Sequence, residues 1–203
     1  VKDGVEQRPL VQLVMNFTKP TANTPSLLTF DEFTTFLHEF GHGLHGILAK
    51  GKYESINGTA VMRDFVELPS QIMENWAFEP EIMRIYATHY KTGEVIPDNL
   101  IERIQRASLF NQGFTTLELC SAALIDMDIH ALEEYTVNFD VEAFESYNLA
   151  TRRGLIPQVE PRYRYTYFAH IFNGGYSAGY YFSLWAEVLD QDAFAAFKEC
   201  RDI

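Results

Sequence analysis

The sequence predicts a mainly α-helical protein with at most a small β element. Apolar residues recur at the spacing of amphipathic helices through much of the chain, and helix-start signals precede several of these segments. The composition, with 47% hydrophobic and 14% aromatic residues, is that of an ordinary globular protein. Because no internal repeat, low-complexity segment or linker divides the chain, we expect a single domain over residues 1–203.

The chain opens with a candidate strand and a clearly signalled helix. Residues 9–17 form a short apolar run ended by turn formers, which predicts a buried strand, and residues 18–29 are a predicted loop. Thr29 and Glu32 fit a capping box, in which both side chains accept hydrogen bonds from unpaired N–H groups at a helix start. The following helix, from Phe30 to Ala49, is therefore predicted from a local signal as well as from its apolar spacing.

Helical patterns continue through most of the remaining chain. After a loop at residues 51–59, a second helix is predicted over residues 63–78. Pro69 indicates that this helix starts or kinks there, because proline removes a backbone donor. Further helices are predicted near residues 80–91, 98–112, 114–134 and 141–153.

Composition and charge exclude several classes of function. A formal net charge of −12 argues against a nucleic-acid partner, which requires clusters of basic residues, and against an anionic membrane surface. Cys120 and Cys200 form no CxxC motif, so neither a disulfide framework nor a cysteine metal site is indicated. No apolar run approaches the roughly 18 residues of a membrane-spanning helix. The first residues do not form a signal peptide, and we expect a cytoplasmic protein, although a segment before Val1 would be the place for a secretion signal.

Residues 38–42 form an HExxH motif within the first predicted helix. His38 and His42 lie one turn apart on one face, where both can bind a single Zn²⁺. Glu39 then lies beside the metal, a position suited to a general base acting on a bound water. A single helical histidine is usually structural, but three of the six histidines fall within eight residues, which favours a metal site. His45 lies about 10 Å along the axis from His38, so we expect it to pack or to support the site rather than to bind the ion.

Three glycines interrupt the same helix, and they have no role in helix formation. Gly41, Gly43 and Gly46 each weaken a helix by up to about 1 kcal/mol relative to alanine. Their number suggests that another element or a substrate approaches the helix backbone closely.

A polar stripe along the second predicted helix supplies the candidate for a third metal ligand. Asp64, Glu67, Gln71 and Glu74 fall on one face at helical spacing. Such a stripe is usually a solvated surface. Zinc bound by two histidines needs a further protein ligand, however, and a carboxylate on a second helix commonly completes an HExxH site. We choose Glu67 for this role.

Residues 162–181 contain six of the eleven tyrosines, together with His170 and the pair Gly174-Gly175. An aromatic cluster is most often core. Phenol and imidazole groups are costly to bury without hydrogen bonds, however, and the glycines would let a peptide backbone approach. Donors of this kind, aimed at a developing oxyanion, would stabilise a tetrahedral intermediate. The residues alone leave the packing and the catalytic interpretation open.

Four segments together resemble the thimet oligopeptidase family of zinc metallopeptidases, and are closest to its peptidyl-dipeptidase branch. They are Pro25–Leu28, His38–His45, Asp64–Gln71 and His170–Tyr176. The resemblance implies a zincin-like, multi-helical metallopeptidase catalytic domain. It also implies that the family's N-terminal helical portion and the extreme C-terminus are missing, so we expect the 203 residues alone to be weakly active or inactive.

The same resemblance implies roles for individual residues, with one Zn²⁺ per chain. The residues that match the zinc ligands and the general base are His38, His42, Glu67 and Glu39. Those expected to contact the substrate or the oxyanion are His170, Gly174, Gly175, Tyr176 and Tyr180. Family members commonly carry a further tyrosine where this chain has Ser183. Either Tyr180 or Tyr181 supplies that hydroxyl, or the contact is absent.

The sequence thus predicts zinc-dependent hydrolysis of short peptides with release of C-terminal dipeptides. An oligoendopeptidase of the same family is the alternative. Arg162 and Arg164 are the nearest basic candidates for recognising a terminal carboxylate, since arginine binds carboxylates bidentately, although a surface position is ordinary for both.

Two hypotheses come from other classes. A di-iron carboxylate helical protein is suggested because Glu39 and His42 also fit a Glu-x-x-His pair. Such a site needs a second pair of this kind, which the remaining histidines do not supply. A peptide-binding protein that has lost catalysis is disfavoured by the intact set of ligands and base. The sequence leaves the oligomeric state open.

Overall fold

The computed structural model describes residue 5 and residues 8–134 and 137–200. They form the mainly helical structure that was predicted, with an antiparallel bridge between Thr88 and Val95. The α-helices are α1 (Phe30–Leu48), α2 (Arg63–Val66), α3 (Leu68–Asn75), α4 (Pro80–Tyr86), α5 (Asp98–Ala107), α6 (Gln112–His130), α7 (Val141–Ser146), α8 (Ala169–Phe172) and α9 (Phe182–Cys200). Short 3₁₀ helices span Glu54–Ile56, Trp76–Phe78 and Tyr165–Tyr167, and a π-helix spans Tyr147–Thr151. Within the described ranges, every helix is too short or too polar to cross a membrane.

Helix α1 begins at the predicted capping box. The hydroxyl of Thr29 accepts a hydrogen bond from the Glu32 amide at 3.1 Å, and Glu32 Oε2 accepts one from the Thr29 amide at 2.8 Å. Glu32 Oε1 also accepts hydrogen bonds from the amide and the hydroxyl of Thr18, at 2.8 and 2.7 Å. These bonds fix the first turn of α1 and hold the preceding loop against it.

The predicted strand over residues 9–17 is wrong. No backbone hydrogen bond joins this segment to another described residue, and a strand requires such a partner. The alternation of a strand nevertheless persists, since residues 11, 13, 15 and 17 are partly buried and those between them are exposed. Val11 and Leu13 reach the glycines of α1: a β-carbon on Gly46 would lie 2.9 Å from Val11, and one on Gly43 would lie 3.3 Å from Leu13. The segment is an extended chain that packs on α1 through side chains.

The helix predicted over residues 63–78 is divided. Helix α2 ends at Val66, and Glu67 lies at the junction with α3, whose first turn contains Pro69. Proline is favoured there because the first-turn N–H groups have no helical partner. The indication from Pro69 that a helix starts near it is therefore confirmed, and the continuous helix is not.

The later helices were predicted in the right places but with different ends. Helix α4 ends at Tyr86, five residues before its predicted end at residue 91. A turn follows, in which the His89 amide donates a hydrogen bond to the Glu94 carbonyl at 2.8 Å. Helix α5 also ends five residues early, at Ala107. The helical segment that starts with α7 stops at Gly154, whose φ of 71° suits a helix end. Helix α9 lies outside the predicted elements.

The chain divides into two compact units, Val1–Ala107 with Ala186–Ile203, and Ser108–Trp185. In the first unit, α1 packs against α3, and the ring of Trp76 meets those of Phe194 and Phe197 edge-on, with centroids 5.0 and 5.6 Å apart. The second unit has its own core, formed by Ala122, Ala123, Ile125, Leu149, Tyr165, Phe168, Ile171 and Tyr180. The HExxH motif belongs to the first unit, and the tyrosine-rich segment belongs to the second.

Candidate metal centre

The close packing of α3 on α1 depends on Gly41. An added β-carbon at this position would lie 2.5 Å from the carbonyl oxygen of Pro69 and 2.6 Å from Cα of Ser70, both in the backbone of α3. No side chain larger than hydrogen fits such a gap. The expectation that another element approaches the glycines of this helix is thus met, and the approach places Glu67, directly before α3, beside the two histidines.

The structure brings together the three predicted metal ligands. Glu67 Oε2 lies 3.2 Å from His38 Nε2 and 3.1 Å from His42 Nε2, and one ligand atom from each residue lies within 4.8 Å of the others. Ligand atoms about 2.0 to 2.1 Å from a tetrahedral zinc ion are about 3.3 Å apart. The observed separations are close to this value. The cluster therefore fits one small divalent cation.

A further carboxylate, Glu74, supports the first histidine. His38 Nδ1 lies 2.6 Å from Glu74 Oε1, which leaves Nε2 of the same ring facing Glu67. A carboxylate on the outer nitrogen of a metal-bound histidine fixes its tautomer and ring orientation. Sequence reasoning placed Glu74 on the polar stripe but gave it no role. The available signal was its position seven residues after Glu67, which returns to the same helix face.

Ser70 supports the carboxylate ligand in turn. Its side chain is fully buried, and its hydroxyl oxygen lies 2.8 Å from Glu67 Oε2 and 2.8 Å from the Glu67 carbonyl oxygen. The side chain of Glu67 is only 12% exposed. The ligand is therefore held in one orientation by contacts within its own helix junction.

The electrostatics of the cluster favour a positive charge at its centre. Burial favours the neutral imidazole of His38 and so lowers its pKa. The hydrogen bonds and negative charges of Glu67 and Glu74 outweigh this effect and raise the pKa of His38 to about 10. Burial likewise disfavours the ionised carboxylate of Glu67, yet hydrogen bonds from His38, His42 and Ser70 hold its pKa well below the usual range. A divalent cation would compete with a proton for this place.

The predicted base, Glu39, follows His38 in α1 and is partly buried. In the part of the chain that the structure describes, its carboxylate makes no hydrogen bond or ion pair. The other acidic residues near the cluster, Glu67 and Glu74, are both engaged. Glu39 therefore stays the candidate for the base, as the residue directly after His38 whose carboxylate is not engaged by the described residues.

His45 lies outside the metal cluster, as expected from its distance along α1. Its ring meets Phe65 edge-on with centroids 6.4 Å apart. Burial, and then the charge of His42, lower the pKa of His45. These contacts fit a packing role.

The other predicted site residues lie in the second unit. His170 Nδ1 is buried without a hydrogen-bond partner among the described residues, and its ring centroid lies 6.5 Å from that of Tyr176 and 5.7 Å from that of Tyr180. Tyr180 is only 5% exposed, and burial raises its pKa to about 12. Tyr181 is 40% exposed, so it is the more accessible of the two tyrosines near Ser183.

The local backbone explains why Gly174 and Gly175, which were predicted to contact the substrate, are glycines. A β-carbon on Gly174 would lie 2.7 Å from Cα of His170, and Gly175 has a φ of 83°. Both positions therefore need glycine for the turn itself. The structure accounts for these residues without a peptide approaching them.

The two arginines proposed to bind a terminal carboxylate differ in their contacts. Arg164 Nε pairs with Glu145, a buried carboxylate. Arg162 is exposed, its guanidinium lies 6.0 Å from the ring centroid of Tyr163, and it pairs with no carboxylate among the described residues. Arg162 is thus the better placed of the two to bind a ligand carboxylate.

A helical HExxH pair completed by a carboxylate is an arrangement of mononuclear metal hydrolases. Comparison with known proteins agrees. The sequence profile of Peptidase family M3 matches residues 2–202. This chain belongs to Peptidase family M3.

Several known proteins match nearly the whole chain. Dipeptidyl carboxypeptidase of Escherichia coli is 48% identical over 191 residues, which cover 94% of this chain and 28% of that protein. Oligopeptidase A of the same organism is 40% identical, covering 97% of this chain and 29% of that protein. A probable cytosolic oligopeptidase A of Arabidopsis thaliana is 38% identical, covering 94% and 27%. The chain thus spans less than a third of the length of these relatives.

Proposed function

We propose that this chain forms the catalytic centre of a zinc-dependent peptidase that acts on short peptides and releases C-terminal dipeptides. The observation that carries the proposal is the convergence of His38, His42 and Glu67. Two imidazole nitrogens and one carboxylate oxygen at near-tetrahedral spacing suit Zn²⁺. We expect one zinc ion per chain.

Each group at the proposed catalytic centre has a separate role in peptide hydrolysis. Zn²⁺ at this centre would polarise the scissile carbonyl and lower the pKa of a bound water. Glu39 takes a proton from the attacking water and passes it to the leaving amine. Glu74 keeps the ring of His38 in the orientation that presents Nε2. His170 and Tyr176 are proposed to donate hydrogen bonds to the oxyanion, which is supported by their family motif.

Release of dipeptides requires recognition of a free C-terminal carboxylate, and we propose Arg162 for this role. The other cations of the second unit bind carboxylates of their own chain: Arg152, Arg153 and Arg164. The relative at 48% identity is named a dipeptidyl carboxypeptidase, which supports this branch. Relatives named oligopeptidase A favour the alternative, an oligoendopeptidase.

The test uses the full-length protein and matched peptides with free or amidated C-termini. Removal of metal by a chelator should abolish turnover, and one equivalent of zinc should restore it. Activity that survives chelation, or a requirement for two iron ions, would overturn the zinc proposal. The free C-terminus should be preferred, and Arg162→Gln should remove that preference. Cleavage of amidated peptides at internal bonds would select the oligoendopeptidase instead.

We also propose that the enzyme acts in the cytoplasm. The name of the Arabidopsis relative at 38% identity supports this location. Another relative from that plant, 36% identical, is named an organellar oligopeptidase, so relatives occur in more than one compartment. Fractionation of cells that produce the full-length protein tests the proposal, and recovery from an organelle or the medium would contradict it.

A further inference from the structure

Asp126 is a buried carboxylate of α6 that the proposed mechanism does not use. It has no exposed surface, and its two oxygens accept hydrogen bonds from two backbone amides of the loop before α9. Oδ1 accepts from the Ala178 amide at 2.9 Å, and Oδ2 accepts from the Tyr180 amide at 2.8 Å. His130 Nδ1 also lies 2.8 Å from Oδ1. One side chain thus connects α6 with two points on the loop.

The loop held in this way, residues 174–180, has a conformation that needs support. Ala178 has a φ of 52°, in the left-handed region that residues other than glycine rarely adopt. The Tyr176 amide donates to the His170 carbonyl at 3.0 Å, and the Ser177 hydroxyl donates to the Ile171 carbonyl. These bonds fold the first half of the loop back on α8. The second half, which contains Ala178 and Tyr180, is held by Asp126.

Asp128, two residues along the same helix, gives the contrast. Its side chain is also mostly buried, but it pairs with Arg152 and Arg153 and makes no hydrogen bond or ion pair with the loop among the described residues. Ion pairs with arginine side chains, such as these, are what we expect of a carboxylate that only stabilises the unit. Asp126 instead binds the main chain next to the residues expected to contact the substrate.

We propose that Asp126 is a positioning residue that holds the 174–180 loop so that Tyr176 stays beside His170 in the arrangement needed for catalysis. The inference rests on the proposed function, because it assumes that these two residues act on the substrate. Asp126 itself touches neither the substrate nor the metal. Its effect passes through the two amides.

The test replaces Asp126 by asparagine in the zinc-loaded, full-length enzyme, with Asp128→Asn as the matched control. Asparagine keeps the size of the side chain but replaces one of the two accepting oxygens by an NH₂ group, which only donates, so one of the two amides loses its acceptor. We expect kcat to fall about 10- to 100-fold, since misplacement of a catalytic group by about 1 Å has effects of this size. Zinc content and KM should change little. Amide hydrogen exchange at Ala178 and Tyr180 should accelerate, and the control should leave kcat and this exchange unchanged.

Two variants of Ala178 test the same claim from the exposed side of the loop. Glycine adopts a positive φ without strain, so Ala178→Gly added to Asp126→Asn should restore part of kcat. Valine disfavours this conformation, so Ala178→Val alone should lower kcat even if Asp126→Asn does not fold.

The outcomes separate the two proposals. If the parent enzyme shows no zinc-dependent turnover, the proposed function fails, whatever the exchange data show. If the parent is active and Asp126→Asn retains its kcat despite faster exchange, the positioning role is overturned. Equal losses of kcat in Asp126→Asn and Asp128→Asn would also overturn it, because a general loss of stability would then explain both.

Discussion

Replacing Gly41 by alanine tests how the fold builds the metal centre. The new β-carbon would lie 2.5 Å from the Pro69 carbonyl oxygen, whereas ordinary contact begins at 3.4 Å. The backbone of α3 must therefore move away from α1 by about 0.9 Å, because close-packed interiors have no free space to absorb the atom. Since Glu67 directly precedes α3, this movement carries the third ligand away from His38 and His42.

The size of the effect follows from the same geometry. Overpacking of this kind costs about 1–3 kcal/mol, and alanine returns at most about 1 kcal/mol through its helix propensity. With the full offset, we expect the free energy of unfolding to fall by about 0–2 kcal/mol. A ligand displaced by nearly half of a zinc–oxygen bond length should weaken zinc binding at least about tenfold, the lower end of the effect of disturbing groups that support a metal ligand.

Gly43→Ala is the control, two positions further along α1. Its β-carbon would meet only the end of the Leu13 side chain, at 3.3 Å, and that side chain can move. Zinc affinity is measured by competition with a chromophoric chelator, and stability by urea unfolding. The Gly43 variant should keep its zinc affinity. Equal zinc affinities for the two variants would refute the claim that contact at Gly41 positions Glu67.

Two further predictions concern carboxylates of the first unit. Glu74→Gln should weaken zinc binding about 10- to 100-fold, because it removes the charged partner of His38 Nδ1; the same competition assay measures it, and unchanged affinity would exclude a supporting role. Burial raises the pKa of Asp190, although hydrogen bonds from Asn75 and Gln191 oppose the rise. A raised folded-state pKa contributes stability at low pH that is lost as the pH rises through that pKa. Asp190→Asn should therefore gain stability relative to the parent as the pH rises above the ordinary aspartate pKa of about 4, as followed by urea unfolding at each pH. A constant difference would contradict this reasoning.

Local signals explain why the motif helix could be predicted from sequence. The capping box of Thr29 and Glu32 lies within four residues, and both of its hydrogen bonds form as expected. His38 and His42 follow from helix geometry alone, since residues four apart share a face. The choice of Glu67 needed the additional knowledge that the metal lacks a third ligand. That need favours a carboxylate of the stripe over Gln71, and the family resemblance implies Glu67 among the carboxylates.

Other features depend on contacts between distant segments. The alternation of residues 9–17 is the same whether the chain pairs with a strand or lies on a helix, so sequence could not distinguish the two. The requirement for Gly41 arises from α3, about 28 residues later in the chain. Glu74 and Asp126 belong to helices whose periodicity predicts the helix but does not reveal what their carboxylates bind. Their partners become visible only when the tertiary structure is known.

Turnover by Glu39→Gln in the full-length, zinc-loaded protein tests the central claim most directly. Glutamine preserves the shape of the side chain but cannot accept the proton of the attacking water. Because Glu39 is not among the metal ligands, we predict that zinc remains at one ion per chain. We predict that kcat for a short peptide falls by about 10²- to 10⁴-fold. Full activity with zinc bound would contradict the assignment of Glu39 as the base.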